Sequence, residues 1–109
     1  MAYDEVLEQR MLAVLGGRPG MVSKKMFGGV GVLLNGNMAC GVNGDRLIVR
    51  VGPDRYEDAL SDPHAGPFDL TGRPMKGWVY VSPEAVAEDV MLAAWIERGV
   101  SFALSLPPK

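Results

Sequence analysis

Residues 21–51 read MVSKKMFGGVGVLLNGNMACGVNGDRLIVRV, and this stretch decides the fold. Its apolar residues alternate with small or polar ones, the two-residue period of strands, instead of recurring every third or fourth position. Four short strands are expected, near 22–27, 30–34, 38–42 and 46–51. Asn35-Gly36 and Asn43-Gly44 lie between the later strands, and both dipeptides tolerate the successive positive φ angles of a type I′ hairpin. Gly28-Gly29 marks a further tight turn or bulge. The stretch is therefore an antiparallel meander.

On either side the period changes to that of helices. Upstream, Val6, Leu7, Met11, Val14 and Leu15 fall on one helical face over 4–15, with Asp4, Glu5 and Glu8 near the positive end of the helix dipole. Gly16-Gly17 ends that helix and Arg18-Pro19-Gly20 cannot continue it. Downstream, Pro53 opens a short helix over 53–60, and a loop rich in proline and glycine covers 63–77. Trp78-Val79-Tyr80-Val81 then alternates as a strand. Ser82-Pro83-Glu84 begins another helical stretch. Asp89 can cap a last helix with Leu92, Trp95, Ile96, Gly99, Phe102, Ala103 and Leu106 on one stripe, stopped by Pro107-Pro108. The expected fold is α+β over 1–109 as a single domain. It has two layers, a mainly antiparallel five-stranded sheet with helices packed on one face.

Strand parity assigns the faces. Leu47, Val49 and Val51 point one way and pack on the helices, while Arg46, Ile48 and Arg50 point the other way. Met26, Met38 and Cys40 are suited to filling a core. A sheet with helices on one side leaves its other face polar or paired with a second molecule. Ile48, between two outward arginines and beside Trp78 or Tyr80, is the expected apolar centre of a symmetric homodimer contact.

Composition limits function. The 109 residues are 48% apolar and 22% charged with a net charge of −2, which describes one small soluble domain and advertises neither nucleic acid nor an anionic membrane. The opening Met1-Ala2-Tyr3-Asp4-Glu5 is acidic where an export signal is basic, and no apolar run approaches the ~20 residues of a membrane span. A single cysteine, Cys40, excludes an intramolecular disulfide and fits the reducing cytoplasm. Cys40 and His64, the one histidine, read as a buried small residue and a turn residue rather than a catalytic pair. The acids are scattered without calcium-loop spacing, and Gly28-Gly29-Val30-Gly31 leads into a strand rather than the helix of a phosphate loop. No catalytic residue, cofactor or metal is expected, and the chain is not read as an enzyme.

Charge is distributed unevenly. Residues 10–50 hold Arg10, Arg18, Lys24, Lys25, Arg46 and Arg50 against one acid, Asp45. Lys24 and Arg50, with Arg73 and Lys76 from the 63–77 loop, form the expected partner-binding patch, which suits an acidic protein better than nucleic acid because aromatics do not interleave with the basic residues. The alternative is a solvated face that discourages edge pairing.

Lys24-Lys25-Met26-Phe27-Gly28-Gly29, Asn35-Gly36-Asn37-Met38, Arg50-Val51-Gly52-Pro53 and Gly72-Arg73-Pro74-Met75-Lys76-Gly77-Trp78-Val79-Tyr80-Val81 follow one another in the order found in the TfoX N-terminal domain family. Trp95-Ile96-Glu97-Arg98-Gly99 and Ser105-Leu106-Pro107-Pro108 extend the resemblance over nearly the whole chain. It implies a two-layer α/β fold similar to secretion chaperones and YjbR-like proteins, and brings no catalytic residues. The family's named members, also called Sxy, regulate natural competence with a cyclic-AMP-responsive transcription activator, and their full-length forms carry a second helical domain. A chain ending at Lys109 resembles the stand-alone, single-domain members. The expected function is a non-enzymatic interaction module, a transcription or competence co-regulator acting through protein contacts, in the cytoplasm and off the membrane. Two alternatives stand beside it: a small-molecule-binding or enzymatic domain using the 63–77 loop, and a direct DNA-binding regulator.

Overall fold

The computed structural model describes residues 3–26, 28–69 and 75–109. Helix α1 spans Glu5–Leu15. The Asp4 carboxylate caps it by accepting from the backbone N–H groups of Val6 and Leu7 at 2.9 and 3.1 Å, and Gly16 closes it at φ 66°. Leu7, Met11 and Leu15, four apart, are its buried edge.

Strands β1 (Met21–Met26), β2 (Gly29–Leu34), β3 (Asn37–Asn43) and β4 (Arg46–Arg50) follow as the meander, each antiparallel to the next. A 3₁₀ turn at Pro53–Arg55 leads into helix α2, Tyr56–Leu60. Strands β5 (Ala65–Pro67) and β6 (Trp78–Val81), a second 3₁₀ turn at Pro83–Val86 and helix α3, Asp89–Ser105, complete the order. Among the described residues the sheet has six strands in the order β1-β2-β3-β4-β6-β5, not the five expected. The additional strand comes from the 63–77 loop. Ala65-Gly66-Pro67 is too short to show a period, and its proline fits only a sheet edge.

The turns carry a second correction. Asn35 and Gly36 have φ 53° and 86°, as a type I′ hairpin requires. Asn43, however, pairs with Arg46, so the next turn consists of Gly44 and Asp45, with positive φ (60°) at Gly44 alone. Positive φ at only the first central position is the requirement of a type II′ turn.

All three helices share one core with the sheet face formed by Val30, Val32, Cys40, Val42, Leu47, Val49, Val79 and Val81. Helix α3 buries Leu92, Trp95, Ile96, Gly99, Val100 and Ala103, while Phe102 and Leu106 stay partly exposed. A Cβ on Gly99 would stand 2.2 Å from the Ala39 carbonyl oxygen, so α3 lies directly on the β3 backbone there. Ala39 is also the additional residue of a bulge: Val32 pairs with Cys40 but Leu33 with Met38. The bulge inverts parity, sending Cys40 into the helix-side core and Met38 to the opposite face.

That opposite face is packed in part from within the chain. Met38, Ile48, Phe68 and Tyr80 form a separate apolar cluster there, flanked by Met26, Leu33 and Trp78. Phe68, just beyond β5, folds back over the sheet, and its ring meets those of Tyr80 and Trp78 at 4.9 and 6.1 Å. Ile48 does point away from the helices, as parity required, yet it is 2% exposed. The expectation that Ile48 and Tyr80 offer themselves to a dimer partner is therefore corrected, because both are buried within the chain in a cluster with Phe68, while Trp78 stays partly exposed.

Candidate functional site

At the end of β4, three segments far apart in sequence meet at one corner. The Gly77 carbonyl accepts the backbone N–H groups of both Val51 and Gly52, at 2.8 and 3.0 Å, which ties the end of β4 to the start of β6. Gly52 has φ 88°, and a Cβ there would lie 2.4 Å from the Phe102 ring. Glycine at 52 thus allows both the left-handed turn and the seating of Phe102 of α3 on the backbone. Gly77, at φ 95°, packs on the same turn: a Cβ there would lie 3.1 Å from the Gly52 carbonyl carbon.

Arg50 stands on this corner. It pairs in register with Trp78, and its guanidinium carbon lies 5.0 Å from the Trp78 ring centre and 5.2 Å from that of Phe102. Four residues earlier on the same face of β4, Arg46 repeats the arrangement over Tyr80, at 3.9 Å. Trp78 and Phe102 are partly exposed, and Lys76, which precedes Gly77 in the chain, is exposed. Among the described residues Arg50 makes no ion pair.

Of the residues expected to form a basic patch, the structure brings Arg50 and Lys76 to this corner. Lys24 is exposed on β1, the far edge strand, three strand spacings or about 14 Å from β4. Arg73 lies outside the described residues. Trp78 belongs to the corner, whereas Ile48 and Tyr80 lie beneath Phe68.

Next to the corner a cleft of about 480 Å³ runs between α3 and residues 51–55. Phe102 and Gly52 line it, together with Asp54, Arg55, Glu97 and Arg98. Glu97 is paired with Arg18, and Arg98 with Asp58 at 3.0 Å while also lying over the Trp95 ring. Sequence reading assigned Phe102 to the buried stripe and gave Arg55 no role. The signal that separates them is the second helical row on α3 at Ala94, Glu97, Arg98, Ser101, Phe102 and Ser105, which lines the cleft and not the core.

The thiol and the imidazole do not meet. Cys40 is fully buried in the helix-side core, and burial pushes its thiol up to about 12, so it stays protonated near neutral pH. His64 is exposed in a turn: its backbone N–H donates to the Asp62 carboxylate at 2.9 Å and its carbonyl accepts from the Ser82 N–H at 2.9 Å. Backbone hydrogen bonding, the Ser82 hydroxyl and His64 hold the neighbouring Glu84 carboxyl below its ordinary range. No helix among the described residues is long and apolar enough to cross a membrane.

The glycines, arginine and tryptophan of the corner are those of the Arg50-Val51-Gly52-Pro53 and Lys76-Gly77-Trp78 motifs, and the model of the TfoX N-terminal domain matches residues 13–103. The chain belongs to the TfoX N-terminal domain family. No curated protein and no solved structure matches it. The matched span runs from within α1 nearly to the end of α3, so the whole TfoX N-terminal sheet and every residue of the corner lie inside it.

Proposed function

We propose that this TfoX N-terminal domain is a non-enzymatic module that acts by binding another protein, and that the Arg50 corner with Lys76 is the surface it uses. One observation carries the reading: a guanidinium without an ion-pair partner among the described residues is held between two partly exposed aromatic rings. Arginine and tryptophan dominate the energetic centres of protein interfaces. An arginine already stacked in place has less conformational freedom to lose on binding. Arg50 and Lys76 add positive charge, so the partner surface is acidic. Family membership supports a role as a co-regulator in the transcriptional control of competence, within the cytoplasm. A buried thiol held protonated supports a binding role over nucleophilic chemistry at Cys40.

The test is affinity capture from the native cell with the wild-type chain and the double variant Arg50→Glu, Lys76→Glu, followed by reconstitution with the purified partner. Loss of the partner by a variant that keeps the wild-type circular dichroism is the expected result, with a small fall in Tm, because Lys76 is exposed while half-buried Arg50 gives up its two ring contacts. Equal capture by both chains contradicts the proposal. So does binding to duplex DNA that falls steeply with salt, the mark of phosphate neutralisation.

A further inference from the structure

The cleft beside Arg50 has a chemistry of its own. Its base is apolar, formed by the Phe102 ring lying on the Gly52 backbone. Its charged walls differ in what remains available. Glu97 and Arg98 are satisfied by Arg18 and Asp58, whereas Arg55, exposed at the rim, makes no ion pair among the described residues. Arg50, whose guanidinium lies 5.2 Å from the Phe102 ring centre, is likewise without an ion pair among those residues. Asp54 is the one acid lining the cleft without an ion pair among the described residues, so the site suits a single carboxylate and not a run of them.

Size sets the second constraint. The volume, about 480 Å³, is that of a site for a small group rather than a folded surface. The row on α3 from Ala94 to Ser105 gives the cleft a length of about 16 Å, the reach of roughly five extended residues. An open groove of that length, floored by a ring and flanked by guanidinium groups, fits a short stretch of chain with one apolar side chain beside one carboxylate.

We propose that this cleft binds a short segment of the partner protein, seating an apolar side chain on Phe102 and Gly52 and a neighbouring Asp or Glu carboxylate against Arg55. The proposal rests on the interaction-module reading and names the part of the partner that enters the domain. The Arg50 rim then meets the partner's surface, and the cleft takes its anchoring segment.

The experiment is a titration of the ¹⁵N-labelled 109-residue chain, followed by backbone amide shifts. The probes are the capped tetrapeptides Ac-GFEG-NH2, Ac-GFQG-NH2 and Ac-GFKG-NH2, with N-acetylphenylalanine as a free carboxylate. The glutamate peptide is expected to shift amides of residues 52–55 and 98–105 saturably, with a Kd in the millimolar range or tighter. The lysine peptide should bind about tenfold more weakly, and Arg55→Gln, at an exposed position, should weaken the glutamate peptide about fivefold. Absence of saturable shifts overturns the proposal, as does equal binding of all three peptides. Tighter binding of N-acetylphenylalanine than of the glutamate peptide also overturns it, because the cleft is then a small-molecule site. Capture through Arg50 and Lys76 is read separately. Capture intact with a failed titration removes the cleft and leaves the interaction module, while an intact titration with failed capture removes the rim and keeps the cleft.

Discussion

Phe68 stands edge-on to Tyr80, ring centroids 4.9 Å apart and planes at 82°, on the sheet face away from the helices. This favourable aromatic geometry anchors Phe68, just beyond β5, against Ile48, Met38 and Tyr80. A sheet that sequence parity left half bare thus has two apolar layers, one against the helices and one with Phe68.

Ile48→Glu should therefore damage the fold instead of dissociating a dimer. Burying a carboxylate at a position 2% exposed is expected to cost more than about 3 kcal/mol. Phe68→Ala should cost about 3–5 kcal/mol by removing a buried ring. Urea unfolding followed by circular dichroism measures both. An Ile48→Glu chain as stable as wild type but half its mass in sedimentation would restore the dimer face.

Gly99→Ala sets two effects against each other. Alanine is favoured over glycine within a helix by about 1 kcal/mol. Here its Cβ would meet the Ala39 carbonyl oxygen at 2.2 Å, and that oxygen belongs to the β3 backbone, which cannot swing aside as a side chain would. The clash should win, with a net loss of about 1–3 kcal/mol by overpacking. A raised midpoint in the same urea experiment would show that α3 shifts freely on the bulge.

Cys40 gives a pH-dependent prediction. Its thiol is held near 12 in the folded chain but titrates in the ordinary range, about 8.5, once unfolded. The unfolded state therefore loses a proton that the folded state keeps, and the stability contributed by this group, complete below about 8.5, is lost progressively as pH rises toward 12. Cys40→Ser should flatten the alkaline part of the stability profile. Reaction with a thiol reagent at pH 8 should wait for unfolding, and rapid modification of the native chain would contradict the burial.

The meander, the helices and the division of β4 into two faces were legible because period, turn dipeptides and caps agreed with one another. Leu47 and Ile48 lie on opposite faces as alternation required. Three features escaped for physical reasons. The bulge at Ala39 breaks the two-residue period that carried the reading, so Met38 and Cys40 part company. Strand β5 is held by pairing with β6, a long-range contact with no local pattern. The corner depends on glycines at 52 and 77 that sequence shows only as possible turns, while the approach of Phe102 belongs to the packing of α3. Lys24 entered the expected patch on charge alone, and sheet order places it on the far edge.

The role of Arg50 is tested most directly by calorimetric titration of the purified partner into the wild-type chain and into Arg50→Ala. Truncating an arginine at the energetic centre of an interface costs about 2 kcal/mol or more. The Kd should accordingly rise about thirtyfold or further, with Tm little changed. A Kd within about twofold of wild type, for a folded variant, would contradict the assignment of this corner as the binding surface.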